Sequence, residues 1–274
     1  MITADTIKKM AVALQTTELN IAREYAQHLF LSGFYQQRGT HPVMFKGGTA
    51  LRIVYNSPRF SEDFDFSGFG VRVSEIEDWV AGASEGIEQA GIAVSIEESK
   101  KTSGGYLGIL DLEFSGYQVR VLFEISLRRR NGLKGRGVLV ASDFVPAYTL
   151  RECFEIQFSD RKSHFLGLFR GQKSASGVFS KHSLTLLPEE TLVEEKLAAL
   201  LDRGKPRDFF DCYFMLRKNM IAPKQRHVLF RVKQVLAGTR INFKAELGDF
   251  LPRAYQPIIG DFKKTLMAEL ERYG

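Results

Sequence analysis

With 274 residues, 44% of them apolar and 26% charged, the chain has ordinary globular composition, enough for one large domain or two small ones. Its net charge of +6 suits a polyanion such as RNA, although many soluble proteins carry as much. Cys153 and Cys212 lie far apart without metal-ligand spacing, no run of 18 apolar residues occurs, and no signal pattern opens the chain; this argues against a disulfide framework, a zinc site and a membrane span, and a soluble cytoplasmic protein is expected.

Residues 3–37 read as helices. Thr17 can cap a run in which Ile21, Tyr25, Leu29 and Ser32 recur at near-helical spacing, with Gly33 weakening its end. This run is expected on the back of the core, and His28 and His41 read as packed or surface histidines. Val43-Met44-Phe45 is a short apolar strand. Gly47-Gly48 then turns the chain into a helix over 48–56, with Leu51, Val54 and Tyr55 inward, which Pro58 stops.

Asp63-Phe64-Asp65-Phe66 reads as a strand. Side chains alternate between faces, so both carboxylates share one face and both phenylalanines the other. Paired carboxylates of this kind suit Mg²⁺, which takes one or two carboxylates together with substrate phosphates. A glycine pair at a helix start frees backbone N–H groups for a phosphate. The two halves together describe a site for a nucleoside triphosphate and its metals. Each half alone is weak, since glycine pairs and Asp-x-Asp are both common.

Ser74-Glu75-Ile76-Glu77 is a capping-box pattern. It opens a helix with Ile76, Trp79, Val80, Ala83, Ile87 and Ala90 on one face, where core packing accounts for Trp79. Residues 92–98 alternate weakly as a strand, and Lys100 to Gly105 form a polar loop. A hairpin is expected from 106–114 and 117–126 across Ser115-Gly116. In its second strand Val119, Val121, Phe123 and Ile125 face one way, and Gln118, Arg120, Leu122 and Glu124 the other. Glu124 stands within an apolar run, where a carboxylate is costly unless paired or metal-bound. It could pair with Arg120 or Arg128, or serve a site, a role for which Asp111 and Glu113 compete. The basic run Arg128-Arg129-Arg130, with Lys134 and Arg136, is either a solvated loop or a grip on a phosphate backbone.

Residues 142–186 carry few signals beyond a plausible strand at Glu155-Ile156-Gln157-Phe158. A boundary is expected before Pro188, dividing 1–187 from a helical 188–274. Pro188-Glu189-Glu190 opens a helix. Lys196 stands in its apolar stripe with Val193, Leu197 and Leu200, and either snorkels to water or meets an anion. Arg203-Gly204-Lys205 ends that helix and Pro206 starts the next. A tight helix–turn–helix would bring Lys196 to Asp211. Asp208 reads as a cap or an ion-pair partner of Arg207 or Lys205. Packing helices follow at about 223–237 and 258–272.

The run Lys46-Gly47-Gly48-Thr49-Ala50-Leu51 followed by Arg59-Phe60-Ser61-Glu62-Asp63-Phe64-Asp65-Phe66 resembles the signature of the AbiEii/AbiGii-type nucleotidyltransferase toxins of abortive-infection and type IV toxin–antitoxin systems. Glu195-Lys196-Leu197 and Lys205-Pro206-Arg207-Asp208-Phe209-Phe210-Asp211 extend the resemblance. It implies an α+β fold: a polymerase-β-like nucleotidyltransferase core with a mixed sheet, followed by a helical C-terminal half. It also implies two Mg²⁺ ions held by Asp63, Asp65 and a third carboxylate, assigned to Glu124. Lys196 and Asp211 would belong to the catalytic set. Lys46, Gly47, Gly48, Thr49, Arg52, Ser61, Lys196 and Arg207 would contact the nucleotide, with the backbone N–H groups of the glycine turn and the Thr49 hydroxyl on β- and γ-phosphate oxygens. The expected reaction transfers NMP from an NTP to an RNA acceptor such as tRNA, and a cognate antitoxin is expected alongside. A small-molecule or protein acceptor, or a non-catalytic nucleotide-binding partner protein, are the alternatives.

Overall fold

The computed structural model describes residues 1–129, 132–142 and 180–273. The expected strand at 155–158, Arg130 and Cys153 lie outside the described residues.

Two helices open the chain, α1 (Ala4–Ala13) and α2 (Glu18–Gln36), each capped by a threonine side chain, Thr3 and Thr17, as their N-terminal patterns require. Strand β1 (Val43–Lys46) runs into helix α3 (Gly47–Tyr55) and then strand β2 (Asp63–Phe69). Helix α4 (Val73–Gln89) leads to three antiparallel-paired strands, β3 (Ala93–Lys101), β4 (Gly105–Phe114) and β5 (Tyr117–Arg128). Strands β6 (Arg136–Ser142) and β7 (Ser180–Leu186) complete a seven-stranded sheet in the order β3-β4-β5-β2-β1-β7-β6. The sheet is mixed: β2 runs parallel to β5 and β1 parallel to β7, while the β1–β2 and β6–β7 pairs are antiparallel.

The phenylalanine face of β2 is the core. Phe64 and Phe66 are fully buried against Phe45 of β1, Phe123 of β5, and Phe30 and Phe34 of α2. Truncating one such ring to alanine would cost about 3–5 kcal/mol, so the aromatic alternation that creates the acidic face also anchors it. Helices α2 and α4 cover this face and cross at Gly33, where a side-chain carbon would press on the backbone oxygen of Ala83 at 3.1 Å. Gly33 therefore sits inside α2 as a packing residue, whereas the sequence reading had it weakening the helix end.

Other local signals find their places with small shifts. Ser115 and Gly116 both take positive φ, 50° and 82°, the mirror-image turn whose twist suits a tight hairpin. Helix α3 stops one turn before Pro58, at Asn56 in the left-handed region. Helix α4 starts before Ser74: the Arg72 N–H donates to the Glu75 carboxylate at 2.9 Å, so the capping box lies two residues earlier than expected. Strands β6 and β7 were not foreseen. The β7 sequence is mostly polar, yet His182, Leu184 and Leu186 alternate inward and are buried.

The remaining chain is helical: α5 (Glu189–Arg203), α6 (Pro206–Arg217), α7 (Leu229–Gly238), α8 (Phe243–Leu247), α9 (Gln256–Gly260) and α10 (Phe262–Glu271). These pack together around Phe209, Phe210, Phe243 and Phe262. Hydrogen bonds join this half to the sheet half: the Phe60 backbone N–H donates to the Phe250 carbonyl at 2.8 Å, and the Asn20 side-chain amide to the Asp249 carbonyl at 2.7 Å. No helix among the described residues is long and apolar enough to cross a membrane.

Candidate active site

Register places the acids. Asp65 lies opposite Lys46 on one side and opposite Glu124 on the other, and Asp63 lies opposite Leu122. Directly paired residues point to the same face, so Asp63, Asp65, Glu124 and Lys46 share the face away from the aromatic core. Glu124 is exposed there rather than buried. The expected burial cost therefore does not arise. Its competitors and partners are accounted for: Arg120 pairs with Asp111 across the hairpin at 3.1 Å, and Arg128 with Glu195 at 2.6 Å. No ion pair reaches Glu124 among the described residues.

The glycine turn is built by close approach. Gly47 has φ +83°, and a Cβ there would overlap the Asp65 carboxylate. A Cβ on Gly48 would overlap the Arg59 guanidinium and reach the Ser61 hydroxyl at 3.1 Å. No side chain caps the N-terminus of α3, so its first-turn N–H groups face the same surface as Asp65, with the partial positive charge of a helix start.

Helices α5 and α6 bring the cations. Lys196 Nζ donates to Asp211 Oδ2 at 2.7 Å. Arg59 donates to the same carboxylate through Nε (3.0 Å) and Nη2 (2.8 and 3.0 Å). Asp211 is 1% exposed and Arg59 4%. Burial alone would raise the Asp211 carboxyl, but Arg59 and Lys196 hold it below the ordinary carboxylate value. Asp65 goes the other way: burial raises it, and the Lys196 and Lys46 charges offset that only in part. Burial also raises Asp63, with Arg207 opposing at 3.8 Å. Glu195, next to Lys196, bridges Lys46 at 2.7 Å and Arg128 at 2.6 Å.

Asp63, Asp65, Lys46, Gly47, Gly48, Ser61, Lys196, Asp211 and Arg207 thus converge on one surface. Two expected nucleotide contacts are committed elsewhere. The buried Thr49 hydroxyl donates to the Asp63 carbonyl, tying α3 to β2. Arg52 forks onto Glu24 of α2 at 2.9 and 3.0 Å, donates to the Ser57 carbonyl at 2.9 Å, and stacks over Phe60 at 4.0 Å. Its role here is to brace the chain entering β2. Asp208 caps α6 and receives the Arg203 fork at 2.8 Å, instead of pairing with Arg207 or Lys205 side chains. His28 is buried edge-to-face on His182, and burial, then the His182 and Arg52 charges, hold it well below the usual imidazole value. Cys212 is a free buried thiol pushed up to about 12.

Beside Asp63 lies a cavity of about 420 Å³ lined by Arg59, Ser61, Glu62, Lys205, Pro206, Arg207, Glu246 and Phe250. Arg59, Glu195, Glu24 and Gln27 were missed from the sequence. Gln27 steadies the segment before β2 by donating to the Ser61 carbonyl at 2.8 Å. Their partners lie as many as 152 positions away, and no local spacing records that.

Among the described residues no three His, Cys, Asp or Glu side chains gather closely enough to hold a metal ion together. Asp63 and Asp65 alone fit the one or two carboxylates that Mg²⁺ takes when phosphate oxygens complete its shell, and burial raises the half-buried Asp65 carboxyl against the Lys196 and Lys46 charges.

A search of curated proteins finds no match. Two solved Helicobacter pylori structures share the fold. JHP933 aligns over 94% of this chain and 95% of its own at 17% identity and TM-score 0.51; a protein assigned as a candidate nucleotidyltransferase aligns over 94% and 99% at 15% identity and TM-score 0.51. The family described as nucleotidyl transferase AbiEii toxin, type IV toxin–antitoxin system, matches residues 29–271. The chain belongs to this AbiEii nucleotidyltransferase toxin family, whose type IV systems imply a cognate antitoxin.

Proposed function

We propose that the chain is a metal-dependent nucleotidyltransferase toxin that moves NMP from an NTP to an RNA acceptor, such as tRNA, in the cytoplasm. The observation that carries this reading is the convergence of Asp63 and Asp65 on β2, the uncapped Gly47-Gly48 turn, and Lys196 arriving from α5. In the reaction an acceptor hydroxyl attacks the α-phosphorus and pyrophosphate leaves. The turn's N–H groups would bind β- and γ-phosphate oxygens, and Lys196 would meet the charge that builds on the leaving group. Asp63 and Asp65 would hold Mg²⁺ together with phosphate oxygens, and the ion when bound would lower the hydroxyl's pKa and screen the phosphates; Glu124, on the same face, is too far off to complete a three-carboxylate site here. The neighbouring cavity carries Lys205, Arg207 and the Asp211-paired Arg59 beside Glu62 and Glu246, a lining with one cation more than its acids, which a phosphate-bearing substrate would meet.

The test is incubation of purified protein with each α-labelled NTP, Mg²⁺ and total RNA. Label is expected in RNA and is lost with Asp63→Ala. Label in the protein or small-molecule fraction would redirect the acceptor, and transfer of a γ-label alone would replace nucleotidyl transfer with phosphoryl transfer. Nucleotide binding without turnover on any acceptor would leave a binding protein.

A further inference from the structure

Around Asp211 two cations share one carboxylate. Arg59 makes three of the four charged hydrogen bonds to it, through a planar fork that only arginine provides. Taken alone, the cluster of Arg59, Lys196 and Asp211 therefore carries one positive charge more than Asp211 neutralises, and it faces the Asp65 carboxylate. That surplus is held almost out of water, since the side chains are 4%, 11% and 1% exposed. A buried excess charge is costly unless something of opposite sign arrives. The cluster also touches the turn, because Gly48 lies directly against the Arg59 guanidinium. Lys196 faces two acids, being bonded to Asp211 and acting on Asp65 as well. Without Arg59, Asp211 would claim Lys196 alone, and the pair would be neutral.

We propose that Arg59 is a positioning residue for nucleotide binding: by sharing the Asp211 carboxylate it leaves the Lys196 ammonium with charge that Asp211 does not neutralise, beside the Gly47-Gly48 turn, where a triphosphate would sit. This rests on the nucleotidyltransferase reading above. The third hydrogen-bonding group of the guanidinium goes to the Phe60 carbonyl at 3.1 Å, so Arg59 also fixes the strand that carries Asp63 and Asp65. Arg59 thus acts through Asp211 on Lys196.

The experiment measures binding of each NTP with MgCl₂ by calorimetry, on variants first shown to melt cooperatively. Arg59→Met is expected to weaken binding about tenfold or more, the scale of one unit charge lost at close range in a partly screened site. Arg59→Lys, which keeps the charge without the fork, stays within about threefold of wild type on the same scale. The decisive variant is R59M/D211N, which restores the surplus charge: it is expected to bind more tightly than R59M. A purely structural Arg59 would make the double variant no better than R59M, and that result, or wild-type affinity in R59M, overturns the proposal. Should R59M fail to fold, R59K carries the test, and a tenfold loss there overturns it. Wild-type protein that neither binds any NTP nor transfers label sinks the functional reading itself; wild-type binding with an indifferent R59M sinks only this inference.

Discussion

Asp65 and Asp211 are carboxylates on opposite halves of the site, one half-buried and one fully buried, and their surroundings shift them in opposite directions. Asp211, on helix α6, is hydrogen-bonded by Arg59 and Lys196, and these hold its carboxyl down against burial. Asp65, on strand β2, lies against the Cα of Gly47 and has nearby lysine charges but no cation bonded to it, and burial holds its carboxyl up. The helical half has met its own electrostatic needs with a positive charge to spare. The sheet half has left an acid short of a cation. Under the proposed function, a nucleoside triphosphate with a divalent ion would meet both.

The largest expected effect comes from the closed half. Asp211→Ala leaves two cations buried without a counter-charge and should cost about 3–5 kcal/mol of stability, read by chemical denaturation. A loss near that of a surface substitution would mean that the two cations relax to water, and the contrast would fail. Next is Gly47→Ala. It forces a side chain into positive φ and against the Asp65 carboxylate, and should cost about 1–3 kcal/mol. Asp65→Ala in the same chain should return part of that loss, since it removes the carboxylate overlap but leaves the Asp65 Cβ contact at 2.8 Å and the backbone strain.

Acid titration sharpens the contrast further. A carboxyl raised in the folded state opposes folding where it is ionised, and that cost vanishes as pH falls through its folded pKa. Asp65→Asn should therefore melt slightly higher than wild type at pH 7, with the gap closing on acidification. A depressed carboxyl does the reverse: the stability from Asp211 is present above the ordinary value of 3.8 and is lost as pH falls towards the lower folded value. Asp211→Asn should thus melt lower than wild type at pH 7, and the gap should close only below 3.8. Gaps of the same sign for both variants would contradict the assignment.

Much of the sheet half was legible because its logic is local. The alternation in Asp63-Phe64-Asp65-Phe66 separates an acidic from an aromatic face within four residues, and Gly47-Gly48 and Ser115-Gly116 announce turns by residue type alone. Lys196 stood out as a cation in an apolar stripe. What escaped is non-local. Arg59 reads as one more charged residue until Asp211, far along the chain, takes it up. Glu195 gives no hint of Lys46 and Arg128. Strand β7 hides in a polar stretch because only alternate residues need be apolar once β1 and β6 supply its hydrogen bonds. Glu124 was assigned from its apolar run and the family resemblance; register puts it on the acidic face, but the burial argued for it is absent, and Thr49 and Arg52 turned inward to brace the strand entrance.

The most direct measurement of the account compares wild type with Asp65→Asn in transfer of α-labelled NTP to RNA in the presence of Mg²⁺, with both proteins shown to be folded. Label should enter RNA with the wild type and fall to background with Asp65→Asn, whose stability is undiminished. A folded Asp65→Asn that transfers label as well as wild type would contradict the claim that this acid awaits a cation and a triphosphate.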